Sequence, residues 1–118
     1  MYLNYHEHMI DMRALREDPE PARASQRARG ADVELVDRIL EADTKRRELL
    51  QEFEQLRSQQ KEVSRSVGRA SKEERPAILA EAKELAARVK NAEAASNEAG
   101  EEADKLARML PNLILPGV

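Results

Sequence analysis

The residues whose types and spacing could do chemistry are basic, and they lie near the middle of the 118-residue chain. Arg57, Lys61, Arg65 and Arg69 recur every four residues, so on a helix they form a slowly drifting row along one side. Between positions 57 and 69 only Glu62 is acidic. Such a row can contact anionic groups such as phosphates and the riboses beside them, or it can be an ordinary solvated face, which is commoner in coiled coils.

The row belongs to a longer basic segment, residues 57 to 90, in a chain whose formal net charge is −3. Its acidic residues are Glu62, Glu73, Glu74, Glu81 and Glu84. Its basic residues, which we take as the candidate binding residues, are Arg57, Lys61, Arg65, Arg69, Lys72, Arg75, Lys83, Arg88 and Lys90. Because basic residues outnumber acidic ones here, the remainder of the chain is acidic.

No group of residues has the spacing of a catalytic site. The sequence has no cysteine, no Gly-rich phosphate loop and no His-x-x-x-His pair, and its carboxylates are spaced as on solvated helix faces. His6 and His8 flank one glutamate, so a metal site is conceivable there. We favour an extension or a cloning remnant over residues 1 to 8. We therefore expect no catalytic residue and no metal ligand.

Two heptad runs must position the basic residues, and each alternates steps of four and three without a slip. The first run is Leu35, Ile39, Ala42, Arg46, Leu49, Phe53, Leu56, Gln60, Val63 and Val67. The second run is Ile78, Ala82, Leu85, Val89, Ala92, Ser96, Ala99, Ala103, Leu106 and Leu110. This pattern predicts two long helices that pack along a coiled-coil seam.

The two runs also match each other as an antiparallel hairpin. If the chain reverses between Val67 and Ile78, residues whose numbers add to 145 face each other. Every residue of the first run then has a facing partner in the second run. Phe53 meets Ala92 in this register, the pairing of a large with a small side chain by which packed layers avoid voids.

Shorter helices are expected before the first run. Residues 10 to 17 can form a helix that buries Ile10, Ala14 and Leu15, and Asp18-Pro19 begins a second helix. Gly30 can end that helix in a left-handed conformation, after which Asp32 caps the long helix.

The apolar stripe widens at the base of the hairpin through Val33, Val36, Leu40 and Met109. Met12, Leu15 and Ala22 of the short helices are the nearest cover. We therefore predict an all-α fold: a long antiparallel two-helix coiled-coil hairpin with two short N-terminal helices capping its base.

The hairpin is interrupted once and ends at a proline. Ser71 and Glu74 have the spacing of a capping box, and a short turn there would reset the helix at Pro76. The second helix must stop near Pro111. The apolar residues that follow suggest the entry to a further domain.

Composition limits the function classes. With 41% apolar residues but only Tyr2, Tyr5 and Phe53 as aromatics, the chain can form one domain without a thick core. No apolar run approaches the roughly 20 residues that span a bilayer, and no signal peptide is visible. We expect a soluble, cytoplasmic protein that contacts no membrane.

These elements, in this order, resemble the N-terminal tRNA-binding domain of bacterial seryl-tRNA synthetases. The resemblance rests on MIDMRALREDP at residues 9–19, Arg29-Gly30, LRSQQK at residues 56–61 and Leu110-Pro111-Asn112, and it covers residues 9–118. It implies three segments: residues 1–8 as the extension, 9–110 as the tRNA-binding helical arm, and 111–118 as the start of a linker to a catalytic domain that this chain lacks.

The resemblance also implies a function. In that family the arm lies along the elbow and the long variable arm of serine tRNA, while a separate C-terminal domain attaches serine using ATP and Mg²⁺. A homodimeric parent enzyme is implied and DNA is not a partner. The alternative is a helical-hairpin module for protein interaction or scaffolding, which would use the apolar base and tail where the RNA hypothesis uses the basic segment.

Overall fold

The computed structural model describes residues 10–114, and most of these are helical. In chain order the elements are β1 (Ile10–Asp11), α1 (Met12–Glu17), α2 (Glu20–Ala28), α3 (Glu34–Arg69), α4 (Arg75–Ala107) and β2 (Leu113–Ile114). The predicted fold class is confirmed. The predictions for residues 1 to 8 and for residues 115 to 118 lie outside the described residues.

The chain divides into two compact units. We call them the terminal unit (Met1–Lys45 and Gly100–Val118) and the hairpin unit (Arg46–Ala99). The long helices α3 and α4 each contribute to both units, and each unit is described by itself below.

The seam predicted from the heptad runs is confirmed in both helices. Every position of the two runs is buried or half-buried, whereas most other positions of α3 and α4 are exposed. Within the hairpin unit, residues 58–63 of α3 and residues 81–88 of α4 line one shared recess. The two segments therefore lie side by side, as the antiparallel register requires.

The core of the terminal unit combines the two long helices with the short ones. Leu15 of α1 and Val36 of α3 have no exposed surface. The buried cluster consists of Ile10, Met12, Leu15, Ala22, Leu35, Val36, Ile39, Ala107, Leu110 and Leu113. The prediction that Met12, Leu15 and Ala22 cover the widened apolar stripe is thus confirmed.

The prediction that Met109 extends this apolar face is wrong, because Met109 is 56% exposed. Helix α4 ends at Ala107, two residues before it. The amides of Met109 and Leu110 then donate to the carbonyls three residues back, which tightens the turn. This change of period directs Leu110 into the core and Met109 outward.

Helix α1 begins later than the sequence suggested. Ile10 and Asp11 are extended and pair in parallel with Leu113–Ile114, and the Ile10 amide donates to the Asn112 carbonyl (2.8 Å). The Asp11 side chain accepts from the Ala14 amide (2.7 Å), so it caps the helix and does not join it. Ala14, expected on the buried side, is exposed. The cap and the pairing with a residue 103 positions later outweigh the helical pattern.

Helix α2 begins at Glu20, one residue later than Asp18-Pro19 predicted, while the predicted end of α2 at Gly30 and the cap of α3 at Asp32 are confirmed. The Glu20 amide donates to Asp18 Oδ1 (3.2 Å) at the start of α2, and Gly30 follows its end with a φ of +67°. The Glu34 amide donates to Asp32 Oδ1 (2.9 Å) at the start of α3. Buried Gln26 donates from Nε2 to the Asp32 carbonyl (2.9 Å), which joins α2 to the loop before α3.

A buried charge fixes α1 to α3. Asp43 of α3 is only 1% exposed, and its Oδ2 accepts a hydrogen bond from Arg16 Nη1 of α1 (3.0 Å). A buried carboxylate without a partner would be strongly destabilising, so the pair sets the position of α1 against α3. Sequence periodicity could not reveal it, because Asp43 lies next to the seam and reads as a solvated residue.

The capping box at the break is present. The Glu74 amide donates to Ser71 Oγ (3.2 Å), and the Ser71 amide and hydroxyl donate to Glu74 Oε1 (3.2 and 2.8 Å). These hydrogen bonds, from the hydroxyl first and then the amide, hold the pKa of Glu74 below its usual range. Helix α4 begins at Arg75, so Pro76 lies in its first turn, where a missing amide donor costs little.

We expect Phe53→Ala to lower the free energy of unfolding by about 2 to 3 kcal/mol, because it leaves a void opposite small residues and removes the ring beneath Arg57. The matched control is Leu50→Ala in the same unit, which truncates a side chain that is 41% exposed and should cost below about 1 kcal/mol. Urea titrations followed by circular dichroism measure both. Equal losses would mean that the layer at Phe53 is no better packed than the surface.

We expect Ser71→Ala to raise the pKa of Glu74 towards its ordinary value, because both the hydroxyl hydrogen bond and the cap geometry are lost. Since the folded-state pKa is depressed, this carboxylate stabilises the turn above its ordinary pKa, and the stabilisation disappears as pH falls through the folded value. NMR titration of the Glu74 side-chain carbon measures the change. Ser66→Ala, whose hydroxyl bonds only within α3, should leave the Glu74 titration unaltered.

Candidate nucleic-acid interface

All nine candidate residues lie in the hairpin unit, and all nine side chains are exposed. Arg57, Lys61, Arg65 and Arg69 are on α3. Lys72 is in the turn between the long helices, and Arg75, Lys83, Arg88 and Lys90 are on α4. Most of these charges therefore lie on the solvent-facing sides of the two long helices, at positions outside the seam.

Two of the nine have a defined contact. Arg65 Nη1 lies 2.6 Å from Glu62 Oε1, and both side chains are more than half exposed, so water and salt screen the pair. The Arg57 guanidinium lies 5.8 Å from the centroid of the Phe53 ring, which restricts the arginine while leaving its N–H donors available. Neither contact withdraws its arginine from an incoming anion.

The side chains of the other seven make no hydrogen bond or ion pair with any residue that the structure describes. They are Lys61, Arg69, Lys72, Arg75, Lys83, Arg88 and Lys90. Arg47, which the segment starting at residue 57 omitted, is equally exposed and equally without a described partner. Arg47 lies next to the confirmed seam, and this place in the heptad pattern could have identified it from the sequence as a candidate binding residue.

The arginines of the terminal unit are arranged differently. Five of them form ion pairs within 4 Å, and these are Arg13, Arg16, Arg23, Arg27 and Arg38. Their partners lie on the short helices, on the first turns of α3 or, for Arg38, at Asp32 in the loop before α3. Their charges are thus balanced locally.

Arg23 shows this balance most clearly. Its guanidinium donates to Asp37 and to Glu20, and these hydrogen bonds raise the pKa of Arg23. Hydrogen bonds from Arg23 and then Arg27 lower the pKa of Glu20. Five arginines of the terminal unit thus have acidic partners, whereas most of the candidate residues in the hairpin unit have none among the described residues.

The arrangement of these basic side chains can bind anions. Arginine offers a planar set of N–H donors that fits phosphate oxygens, and lysine offers a compact charge. Within residues 10–114, no group of three His, Cys, Asp or Glu side chains could hold a metal ion. None of the helices in this range is long and apolar enough to cross a membrane.

Known sequences place the chain in a family. The model of the seryl-tRNA synthetase N-terminal domain matches residues 9–114. The chain is 54% identical over 110 residues to the serine–tRNA ligase of Beutenbergia cavernae, and it is 53% identical over 110 residues to that of Nocardia farcinica. In both cases the match covers 93% of this chain and 26% of the relative.

The serine–tRNA ligase of Thermobifida fusca is 54% identical over 106 residues, which are 90% of this chain and 25% of that protein. The chain therefore spans about a quarter of the length of these relatives. No solved structure matches it significantly. A family model that covers nearly all of the described residues, together with relatives that share half of the sequence, shows that this chain belongs to the seryl-tRNA synthetase N-terminal domain family.

Proposed function

We propose that this chain is the tRNA-binding arm of a serine–tRNA ligase and that it holds serine tRNA through the basic residues of the hairpin unit. The observation that carries the proposal is the contrast in charge pairing. Seven of the nine candidate residues are unpaired within the described chain, while the terminal unit pairs five arginines with its own carboxylates. The unpaired cations of this segment are therefore available to an anionic ligand, and those five arginines of the terminal unit are not.

Recognition would depend on the RNA backbone and on shape. The major groove of an RNA duplex is deep and narrow, so a pair of packed helices cannot enter it to read base edges. Basic side chains on the surface of the hairpin can instead contact phosphates and riboses. Because such contacts carry no sequence information, selectivity must come from where the elbow and the long variable arm of serine tRNA lie relative to each other.

The reaction would belong to a catalytic domain outside these 118 residues. That domain would activate serine with ATP and Mg²⁺ and transfer it to the tRNA, in a homodimeric enzyme of the cytoplasm. The residues of this chain would contribute only binding and orientation. Neither DNA nor a membrane is a partner in this proposal.

The scaffold alternative loses its main surface in the structure. It relied on the apolar base and the apolar tail, and of these Val36, Leu110 and Leu113 are buried in the core of the terminal unit together with residues of α1 and α2. The residues that remain open in the hairpin unit are mostly charged. A protein partner would therefore have to bind a largely charged surface instead of the apolar base.

We expect the chain to bind a serine tRNA transcript more tightly than a tRNA transcript without a long variable arm, with an affinity that falls steeply with salt. Lys61→Gln should weaken binding and reduce the slope of log affinity against log salt by about 0.7 to 0.9, the release expected for one neutralised phosphate. Fluorescence anisotropy over a series of salt concentrations measures both quantities.

The control is Lys45→Gln, which removes an equally exposed and unpaired lysine from the terminal unit and should leave the salt slope nearly unchanged. Equal affinity of the wild-type chain for both transcripts would count against selection by shape. A failure to bind either RNA would refute the proposed function itself.

In the parent enzyme, we expect Lys61→Glu to reduce tRNA aminoacylation through a higher KM for tRNA, because this residue contributes binding and touches no reacting atom. Activation of serine, measured as serine-dependent exchange between pyrophosphate and ATP, should be unaltered. A matching loss in both assays would place the residue in the chemistry of the enzyme and contradict the division of roles.

A further inference from the structure

The seam divides the surface of the hairpin unit into two flanks. We assign the seam positions to a and d of the heptad. Positions e and b then lie on one side of the seam, and positions g and c lie on the other. In an antiparallel pair, the e and b side of one helix lies next to the e and b side of the other helix, and the g and c sides likewise lie together. The recess between α3 and α4 is lined by Ser58, Gln59, Glu62, Val63, Glu81, Glu84, Leu85 and Arg88. Apart from Ser58 at an f position, these are all c, d or g residues, so the g and c sides of both helices do share one flank.

The two flanks carry opposite charge. The charged residues at e and b positions are Arg47, Arg57, Lys61, Lys83 and Lys90, with Glu54 and Glu93. The charged residues at g and c positions are Glu48, Glu52, Glu62, Glu81, Glu84 and Glu98, with Arg69 and Arg88. All of these side chains are exposed. We call the first set the basic flank and the second the acidic flank.

We propose that the RNA backbone lies along the basic flank and that the acidic flank faces away from it. This inference rests on the proposed function, since it assigns a side to the same ligand. Helices are about 10 Å across, and the Debye length at physiological ionic strength is about 8 Å, so each flank acts on a nearby phosphate largely by itself. Phosphates on the acidic flank would meet several carboxylates, and that repulsion is absent on the other side.

The assignment revises the set of nine candidate residues. Arg69 and Arg88 belong to the acidic flank, and Arg88 shares the recess with Glu62, Glu81 and Glu84. These three glutamates offset the charge of Arg88, and Arg69 lies on the same side of α3 as Glu62, so in this proposal neither arginine contacts the RNA. Arg47 enters the interface in their place.

Exposed apolar side chains support the same side. Among the described residues of the hairpin unit, the large hydrophobic residues that remain exposed are Leu50 (41%) and Leu79 (49%), and both occupy e positions on the basic flank. Leu79 is one helical turn from Lys83. A ligand on this flank covers apolar surface as well as meeting positive charge, whereas one on the acidic flank gains neither.

The test compares two double charge reversals that change the net charge of the same unit equally. Lys61→Glu with Lys83→Glu alters the basic flank, and Arg69→Glu with Arg88→Glu alters the acidic flank. Anisotropy of a labelled serine tRNA transcript is measured at two or more salt concentrations. We expect the lysine pair to raise Kd at least about tenfold and to lower the salt slope by roughly 1.4 to 1.8, and the arginine pair to alter Kd by less than about twofold.

Folding is checked by circular dichroism melts. Glutamate at 61 or 83 has no acidic residue three or four positions away, but glutamate at 88 lies four residues from Glu84 and glutamate at 69 ends α3. If either of these disturbs folding, the glutamine versions of both pairs replace them. If the arginine pair loses as much affinity for the tRNA as the lysine pair, or more, the flank assignment is overturned while tRNA binding itself stands. A wild-type chain that binds no tRNA overturns the proposed function instead.

Discussion

The heptad seam between α3 and α4 is the constraint on which the other features of the molecule depend. Most of the stability of a helix in a protein comes from packing of its apolar face, so each long helix depends on the second helix against which its narrow apolar stripe packs. In both units the residues of the seam are buried or half-buried, although the types of side chain in the seam differ between the two units. The seam also decides which residues remain on the surface, so the positions of the charges follow from it.

The two units use charge in opposite ways. In the terminal unit, arginines pair with carboxylates. The buried carboxylate of Asp43, for example, is stabilised by its ion pair with Arg16. These pairs fix short helices that have too few apolar residues to hold themselves in place. In the hairpin unit the seam packs the two helices together, and most of the basic side chains outside it have no acidic partner among the described residues. Because the charged side chains separate into a basic and an acidic flank, the two sides of the hairpin unit differ in the sign of their charge.

The terminal unit shows how much a few nonlocal contacts can change a local pattern. Ile10 would continue helix α1 on periodicity alone, but it pairs with Leu113 and both side chains enter the core. Asp11 then becomes the cap of a shorter helix. Residues from the two ends of the described chain thereby close one core, which places the exit of α4 beside the start of α1.

The sequence by itself determined the seam, the pairing of the two long helices, and the caps at Asp32, Gly30 and the Ser71–Glu74 break. These depend on contacts between near neighbours or on a strict period, and both can be read along the chain. Only the tertiary structure decided the partner of Asp43, the exposure of Met109, the pairing of Ile10 and which basic residues lack an acidic partner. Each of these depends on residues far apart in sequence or on where a helix stops, and no local pattern encodes that information.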